Sequence, residues 1–421
     1  MRIAASVRAL IFSCLTLCLF ACERHAPAPE LASQAPALAP RALPEPAPLA
    51  AALTGDAVRG HELVQRFECN RCHEGTGFAA APVAKNCFSC HEQIMTGRFP
   101  ISPAALARFR PHVASAREAP SLTAIGARLK GEWIREYLLA PRDLRPNLVP
   151  TMPRLALDSA QAADIAAYLI RDAQREVRST GAPGNAAHGR ELMDQKGCTS
   201  CHAFSGVPAF TSNDSVLPGG ESARLLAPDL RFTRARFRPE QLRSWLVDPQ
   251  AIKPDTRMPN FGLADDEAAD IAEYIVSAEL EPEGSAPFVR LPPLTRRVSF
   301  EEANRQVFSR TCHHCHTDAD AAGGDGGPGN TGGFGFAPRG VSFSSHASIL
   351  AGYVDEDGRR RSLFEPLADG TPRLIGALLA RHDEAQLEPR ASVRGMPLGL
   401  PPLSAEDIQL VESWVAQGKP L

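Results

Sequence analysis

The sequence predicts a mainly α-helical protein in which three tandem helical domains follow an extended N-terminal tether. Two observations predict this architecture. A helical pattern recurs three times along the 421 residues, and in the first two copies apolar positions recur at intervals of three and four. The stretch before the first copy is almost entirely Ala, Pro and Leu, a composition that cannot build a core. The tether is predicted at 22–55 and the domains at 56–180, 181–285 and 286–421.

The clearest sign of repetition is a match between the first two predicted domains. Gly60 and Gly189 each lie nine residues before a cysteine, and each opens a short helix. Both copies later contain a Met-Pro pair that is followed, sixteen residues after the methionine, by a tyrosine in an acid-flanked helix. In the third copy Ala303 occupies the place of the glycine, and the pair is Met396-Pro397. One helical unit is therefore expected three times.

Cysteines carry the chemistry of the chain. Of its eleven cysteines, eight form four pairs, and each pair encloses two residues and is followed at once by histidine. The cysteines are Cys69, Cys72, Cys87, Cys90, Cys198, Cys201, Cys312 and Cys315, and the histidines are His73, His91, His202 and His316. Two thiols at this spacing can form thioethers to the two vinyl groups of one haem, and the adjoining imidazole then reaches the iron as a ligand. The motifs predict four covalently bound haem c groups.

Two other uses of such pairs explain the pattern less well. A disulfide framework gives no reason for a histidine after every second cysteine. Zinc sites are a better rival, because the pairs at Cys69 and Cys87 have the separation of a zinc ribbon. The pairs at Cys198 and Cys312 would nevertheless lack partner ligands, so haem attachment is favoured.

Each repeated unit resembles a class I cytochrome c domain. In that family an N-terminal helix leads into Cys-x-x-Cys-His, a proline lies on the proximal side of the haem, a Met-Pro loop supplies the distal sulfur, and an aromatic-bearing C-terminal helix crosses the first. The resemblance implies that Met152, Met258 and Met396 are the distal ligands opposite His73, His202 and His316. A thioether favours Fe(II), so such ligation raises the reduction potential. His382 and His346 are alternative ligands in the third domain.

The second motif, Cys87 to His91, departs from this pattern. It has neither a leading helix nor a Met-Pro loop of its own, and it lies between the first motif and the proximal proline. The first domain is therefore predicted to hold two neighbouring haems. His112 is the preferred distal ligand of the second haem, followed by Met95 and then His61. Alternatively, Met152 serves this haem and the first haem takes another ligand.

The N-terminus has the features of an export signal. Arg2 and Arg8 supply positive charge before an apolar run at 9–20, which is too short to span a bilayer. The run ends in Leu-Phe-Ala-Cys22, which resembles a bacterial lipoprotein cleavage box. Residues 1–21 are thus predicted to be a lipoprotein signal peptide and Cys22 the lipidated residue; ordinary cleavage nearby is the alternative. The protein is expected on the periplasmic side of a bacterial membrane, anchored by its lipid.

Charge and ligation narrow the function. The net charge of −3 gives no basic surface of the kind that binds nucleic acid. Haems with both axial positions filled exchange only electrons, so we expect an electron carrier, or an electron-transfer subunit of a respiratory complex, working between periplasmic or membrane redox partners. No enzymatic activity is expected. The alternative is a peroxidase-like haem enzyme that uses the second haem with an open axial position.

Overall fold

The computed structural model of the protein describes residues 54–114, 116, 118–172, 183–207, 220–282, 287–318, 327–386 and 393–421. The predicted signal peptide and tether lie outside these ranges, apart from the last two residues of the tether. The described chain is mainly helical, which confirms the mainly α part of the predicted fold class. Among these residues, no helix combines the length and the apolar character that crossing a lipid bilayer requires.

The helices follow one another along the whole described chain. They are α1 (Ala57–Arg66), α2 (Cys87–Thr96), α3 (Pro103–Val113), α4 (Gly131–Leu139), α5 (Ser159–Leu169), α6 (Ala186–Gln195), α7 (Gly220–Leu226), α8 (Thr233–Arg236), α9 (Pro239–Val247), α10 (Pro249–Ile252), α11 (Asp265–Ser277), α12 (Phe300–Ala303), α13 (His346–Ala351), α14 (Arg373–Ala385) and α15 (Ala405–Ala416). A π-helix at Asn304–Cys312 continues α12, and strands β1 (Tyr353–Val354) and β2 (Arg360–Arg361) pair antiparallel. We call residues 54–172, 183–282 and 287–421 the first, second and third segments.

In the first segment, α1 and α5 cross at a glycine. A Cβ atom on Gly60 would lie 2.0 Å from the backbone oxygen of Asp164, so no side chain fits there. The Asp164 carboxylate accepts the backbone N–H of Asp56 at 2.6 Å and two bonds from the Arg59 guanidinium. Arg59 thereby lowers the pKa of Asp164. Close backbone contact and one carboxylate together fix the start of α1 against α5.

The second segment repeats this crossing with α6 and α11. A Cβ atom on Gly189 would lie 2.0 Å from the backbone oxygen of Asp270. The Asp270 carboxylate accepts the backbone N–H of Asn185 at 2.6 Å and contacts Nδ1 of His188 at 2.7 Å. These two partners lower the pKa of Asp270, as the corresponding contacts do in the first segment.

The third segment crosses α12 and its π-helical continuation with α15 by different contacts. Ala303 is fully buried, and Trp414 of α15 is also fully buried. The Trp414 ring lies edge-on to Phe308, with ring centroids 5.5 Å apart. A large aromatic residue therefore fills the crossing, which explains why this copy does not require glycine.

Contacts join the first segment to both of the others. Towards the second segment, the backbone N–H of Lys130 donates to the Arg236 carbonyl at 2.8 Å. Towards the third segment, the Arg154 guanidinium forms an ion pair with Glu384 at 3.5 Å. Arg394 of the third segment donates to the Arg154 carbonyl at 2.7 Å. The first segment thus contacts both of the others.

Replacing Gly60 by Ala tests the helix crossing. The added methyl group has to push α1 and α5 apart, and overpacking of this kind costs about 1–3 kcal/mol or more. We expect a clearly lower thermal unfolding midpoint for Gly60→Ala by circular dichroism. Val58→Ala, at a site 73% exposed on the same helix, should change stability by less than about 0.5 kcal/mol. Equal midpoints for the two variants would contradict the crossing.

Candidate haem-binding site

Each of the four Cys-x-x-Cys-His motifs forms one helical turn of its own. In three of them the histidine backbone N–H donates to the carbonyl of the first cysteine, at 2.9 Å for His73, 3.0 Å for His202 and 3.0 Å for His316. The second motif is the first turn of α2, which Asn86 caps by accepting the backbone N–H of Ser89. A turn of this kind places two thiols and one imidazole on the same side of the chain, as thioether attachment with axial ligation requires.

The histidines of the first three motifs are held in one orientation through Nδ1. That atom lies 2.7 Å from the Pro120 carbonyl in His73 and 2.7 Å from the Pro228 carbonyl in His202, and it contacts the Ala116 carbonyl in His91. Because a carbonyl only accepts, Nδ1 carries the proton and Nε2 keeps its lone pair for a metal. Both prolines follow an alanine at corresponding places of the first two segments, at Ala119-Pro120 and Ala227-Pro228.

Burial keeps these imidazoles neutral. It lowers the pKa of His73, His202 and His91, and it lowers that of His316 to about 4 against the opposing effect of the Val341 and Gly329 carbonyls. A neutral imidazole is the form that binds iron. The thiols respond to burial in the opposite direction; it raises the pKa of Cys312 to about 12.

The first and third motifs border the same cavity, which has a volume of about 1100 Å³. Its walls include His73 and Met152 of the first segment and His202 and Met258 of the second. The two predicted axial pairs of these segments therefore line one continuous space. Its size exceeds the range of about 300–1,000 Å³ that is usual for a single small-molecule pocket.

The Met258 side chain is fixed from several directions. Trp245 Nε1 donates to the Met258 sulfur at 3.0 Å, the Met258 carbonyl accepts from Gln250 at 2.8 Å, and its backbone N–H donates to Thr256 at 3.2 Å. The Met152 side chain packs against the same hydrophobic core as the Met258 side chain. Its neighbour Thr151 donates its backbone N–H to the Gly399 carbonyl of the third segment at 3.0 Å.

In the third segment the predicted distal loop is anchored by backbone contacts. Met396 donates its N–H to the Ala377 carbonyl at 2.9 Å, next to a bond from Gly395 N–H to Glu384 at 2.7 Å. The alternative ligands each have one ring nitrogen engaged. Nε2 of His382 lies 2.8 Å from the Leu403 carbonyl, and Nε2 of His346 lies 2.8 Å from the Lys419 carbonyl.

The candidates for the second motif have varied surroundings. His112 belongs to α3, but its side chain lies outside the described part of the structure. Met95 packs on the small hydrophobic core between α2 and α3. His61 stacks on Phe78, with ring centroids 4.5 Å apart, and meets Tyr168 edge-on.

The second motif contacts the motifs on either side of it. The thiols of Cys72 and Cys87 interact, which helps to raise the pKa of Cys72. On its other side, the His91 ring lies 5.2 Å from the His314 ring, centroid to centroid, with the two planes at 87°. His314 lies inside the fourth motif, between Cys312 and Cys315. In the sequence, His314 is marked only by the fact that both residues between these two cysteines are histidines.

The zinc alternative finds no support among the described residues. They contain no group of three or more His, Cys, Asp or Glu side chains arranged to hold a metal ion. A structural zinc site requires four such ligands.

Comparison with known proteins identifies the second segment. Residues 186–279 match the cytochrome c family. One curated relative, cytochrome c oxidase subunit 2 of Bacillus subtilis (strain 168), is 29% identical over 113 residues, which are 25% of this chain and 30% of the relative. The matched region thus spans less than a third of that relative's length. The comparison with solved structures finds no match.

Residues 186–279 therefore form a cytochrome c domain, and a domain of this family implies a covalently bound haem c that serves electron transfer. Cys198, Cys201, His202 and Met258 fit a covalently bound haem c, because thiols, a neutral imidazole and an oriented thioether all border the cavity. Bound there, a haem c supplies reversible one-electron chemistry at its iron.

Replacing Met258 by Ala tests the distal ligand. Loss of the sulfur should remove the near-infrared band of sulfur–iron ligation from one haem and lower its reduction potential by on the order of 100 mV. Magnetic circular dichroism and a spectroelectrochemical titration measure these two effects. Leu263→Ala is the control, because Leu263 is a buried core residue of the same segment that does not border the cavity. An unchanged spectrum in Met258→Ala would show that Met258 is not a ligand.

Proposed function

We propose that the protein is a tetrahaem c-type cytochrome, built from three tandem cytochrome c domains, that passes electrons between periplasmic or membrane redox partners. The observation that carries this proposal is the spatial order of the four motifs. Motifs three and one share a cavity, motifs one and two touch through Cys72 and Cys87, and motifs two and four touch through His91 and His314. A row in the order three, one, two, four is continuous from the second segment to the third.

Three arginines in the shared cavity support a haem in each of the first two segments. Arg128, Arg145 and Arg236 all line the cavity, and none pairs with a carboxylate among the described residues. Burial lowers the pKa of Arg236 to about 9 and that of Arg128 to about 10, and the nearby charge of Arg145 lowers both pKa values further. Guanidinium groups stay protonated in proteins, so this cluster requires an anion. The propionate carboxylates of haem would supply it.

The arginines also cross between the segments in a reciprocal way. Arg128 of the first segment lies over Trp245 of the second, 5.3 Å from its ring centroid, and Arg236 of the second lies over Trp133 of the first at 5.1 Å. Nε of both arginines has no hydrogen-bond partner in the described structure. Each segment thus contributes charge to the other segment's side of the cavity, which favours two haems with their carboxylate edges close together.

A similar guanidinium supports a haem in the third segment. Arg381 is completely buried, and its Nε donates to the Leu400 carbonyl at 3.0 Å. Its two terminal nitrogens are buried and have no partner in the described structure. Since Leu400 follows closely after Met396, this unpaired charge lies beside the predicted distal loop.

The carrier function is preferred to a haem enzyme. A peroxidase requires an open axial position, and the second motif was the candidate for one. The contact between His91 and His314 places another imidazole next to the proximal histidine of that motif. We accordingly propose no enzymatic activity.

The sequence alone supports the proposed location. Residues 1–21 would direct export, Cys22 would carry a lipid, and residues 22–55 would give the haem domains reach from a membrane on its periplasmic side. The matched relative is named as an oxidase subunit. We therefore propose a respiratory complex as one of the redox partners.

Intact mass tests the number of haems. The denatured mature protein, expressed with haem-attachment machinery, should exceed its polypeptide mass by four haems. The double variant Cys87→Ala/Cys90→Ala should lose one haem and keep three, because thioether bonds survive denaturation. Fewer than four haems in the unaltered protein would contradict the proposal.

Replacing Arg236 by Gln tests the charged cavity. Removing a buried positive charge beside a haem disfavours the added electron, so at least one reduction potential should fall by on the order of tens of millivolts. Arg190→Gln, at an exposed site on α6, should leave all potentials unchanged. A rise or no change in Arg236→Gln would argue against propionates at this cluster.

A further inference from the structure

We infer that His314 is the axial ligand opposite His91 on the haem of the second motif. The fourth motif would thus complete the coordination of its neighbour, and the second haem would have two histidine ligands. The inference rests on the proposed haem at Cys87 and Cys90. It departs from the ligands expected from sequence, since His112, Met95 and His61 all belong to the first segment.

The first step concerns the proximal histidine. The His91 side chain is buried, and its Nδ1 contacts the Ala116 carbonyl. Nε2 is thus the nitrogen available to iron, and the ring cannot turn it away without breaking the Nδ1 contact. A second ligand would have to reach the same iron from the side of the haem that His91 does not occupy.

The second step concerns distance. The His91 and His314 centroids are 5.2 Å apart. Since a metal–nitrogen bond is about 2 Å long, two imidazoles on opposite faces of one metal ion have centroids about 6 Å apart. The observed separation differs from this value by about 1 Å. The ring planes stand at 87°, so the two rings meet edge to face and are not stacked in parallel.

The third step concerns the availability of the His314 ring. Nε2 of its neighbour His313 lies 2.7 Å from the Phe343 carbonyl, and His316 is the axial histidine of the fourth motif itself. The His314 ring has no hydrogen-bond partner among the described residues. Its nitrogens are therefore available for a metal, unlike the engaged nitrogen of the histidine before it.

The fourth step concerns how rigidly His314 is presented. Cys315 donates its backbone N–H to the Cys312 carbonyl at 3.2 Å and accepts that of Gly329 at 2.9 Å. The loop at Gly327 packs so closely on Cys315 that a Cβ atom there would lie 2.7 Å from the Cys315 Cα. The turn that contains His314 is thus held on both sides. An axial ligand has to be held in this way for coordination to be stable.

Two of the candidates expected from sequence, Met95 and His61, pack elsewhere in the first segment. Met95 packs in the small core between α2 and α3, and His61 stacks on Phe78 and Tyr168. Ligation by His314 also has a consequence for electron flow. The ligand of one haem and Cys315, which attaches the next, are adjacent in sequence, so bonds of the protein connect the two groups directly. Two histidine ligands would give this haem a lower potential than the three with methionine.

The test uses the full-length holoprotein and compares His314→Ala, His314→Met and the unaltered protein by near-infrared magnetic circular dichroism and low-temperature EPR. The unaltered protein should show one bis-histidine haem in four. His314→Ala should lose that signal completely and gain a haem that binds cyanide, and added imidazole should restore the signal. His314→Met should convert it into a fourth histidine–methionine signal, which no merely structural role of His314 would produce.

Matched variants separate the possible failures. His313→Ala removes the neighbouring histidine and should keep the bis-histidine signal, as should His112→Ala, Met95→Leu and His61→Ala. Absence of a bis-histidine haem from the unaltered protein, retention of the signal in His314→Ala, or its loss in His112→Ala would overturn the inference. An intact mass with no haem at Cys87 and Cys90 would instead refute the proposed function. Four haems without a role for His314 would refute the ligand assignment alone.

Discussion

The close crossing of two helices in each segment is the constraint on which the haem sites depend. In the first two segments the crossing requires glycine, since the backbone of the partner helix occupies the place of a Cβ atom. The first helix of each pair then ends where the Cys-x-x-Cys-His turn begins, so the crossing decides where the thiols and the imidazole face. The carboxylates of Asp164 and Asp270 reinforce the same geometry through hydrogen bonds to the start of that helix.

Once the turns are placed, short-range contacts determine their chemistry. A backbone carbonyl accepts a hydrogen bond from Nδ1 in three of the four motif histidines, which leaves the lone pair of Nε2 free for a metal. Buried arginines in the shared cavity and at Arg381 carry positive charge that the described side chains do not neutralise. Thiols, neutral imidazoles and unpaired guanidinium groups together match the vinyl groups, the iron and the carboxylates of haem.

Features with local sequence signals could be predicted well. The mainly helical class is confirmed, and the resemblance of the second domain to cytochrome c is confirmed by the family match at 186–279. Gly60 and Gly189 could be found because a fixed offset from the cysteines repeats. The shared cavity, the exchange of Arg128 and Arg236 across it, and the contact of His91 with His314 could not be found in this way. They join residues about 100 to 220 positions apart, and no periodicity in a single sequence encodes such contacts.

We propose that four haem irons form one continuous row in a single folded unit. Crystals of the holoprotein measured by anomalous diffraction at the iron absorption edge would locate each iron independently of any assumption about its ligands. We expect four iron positions in the order three, one, two, four along the row, with every neighbouring pair close enough for the porphyrins to adjoin. Fewer irons, or one iron isolated from the rest by the width of a domain, would contradict it.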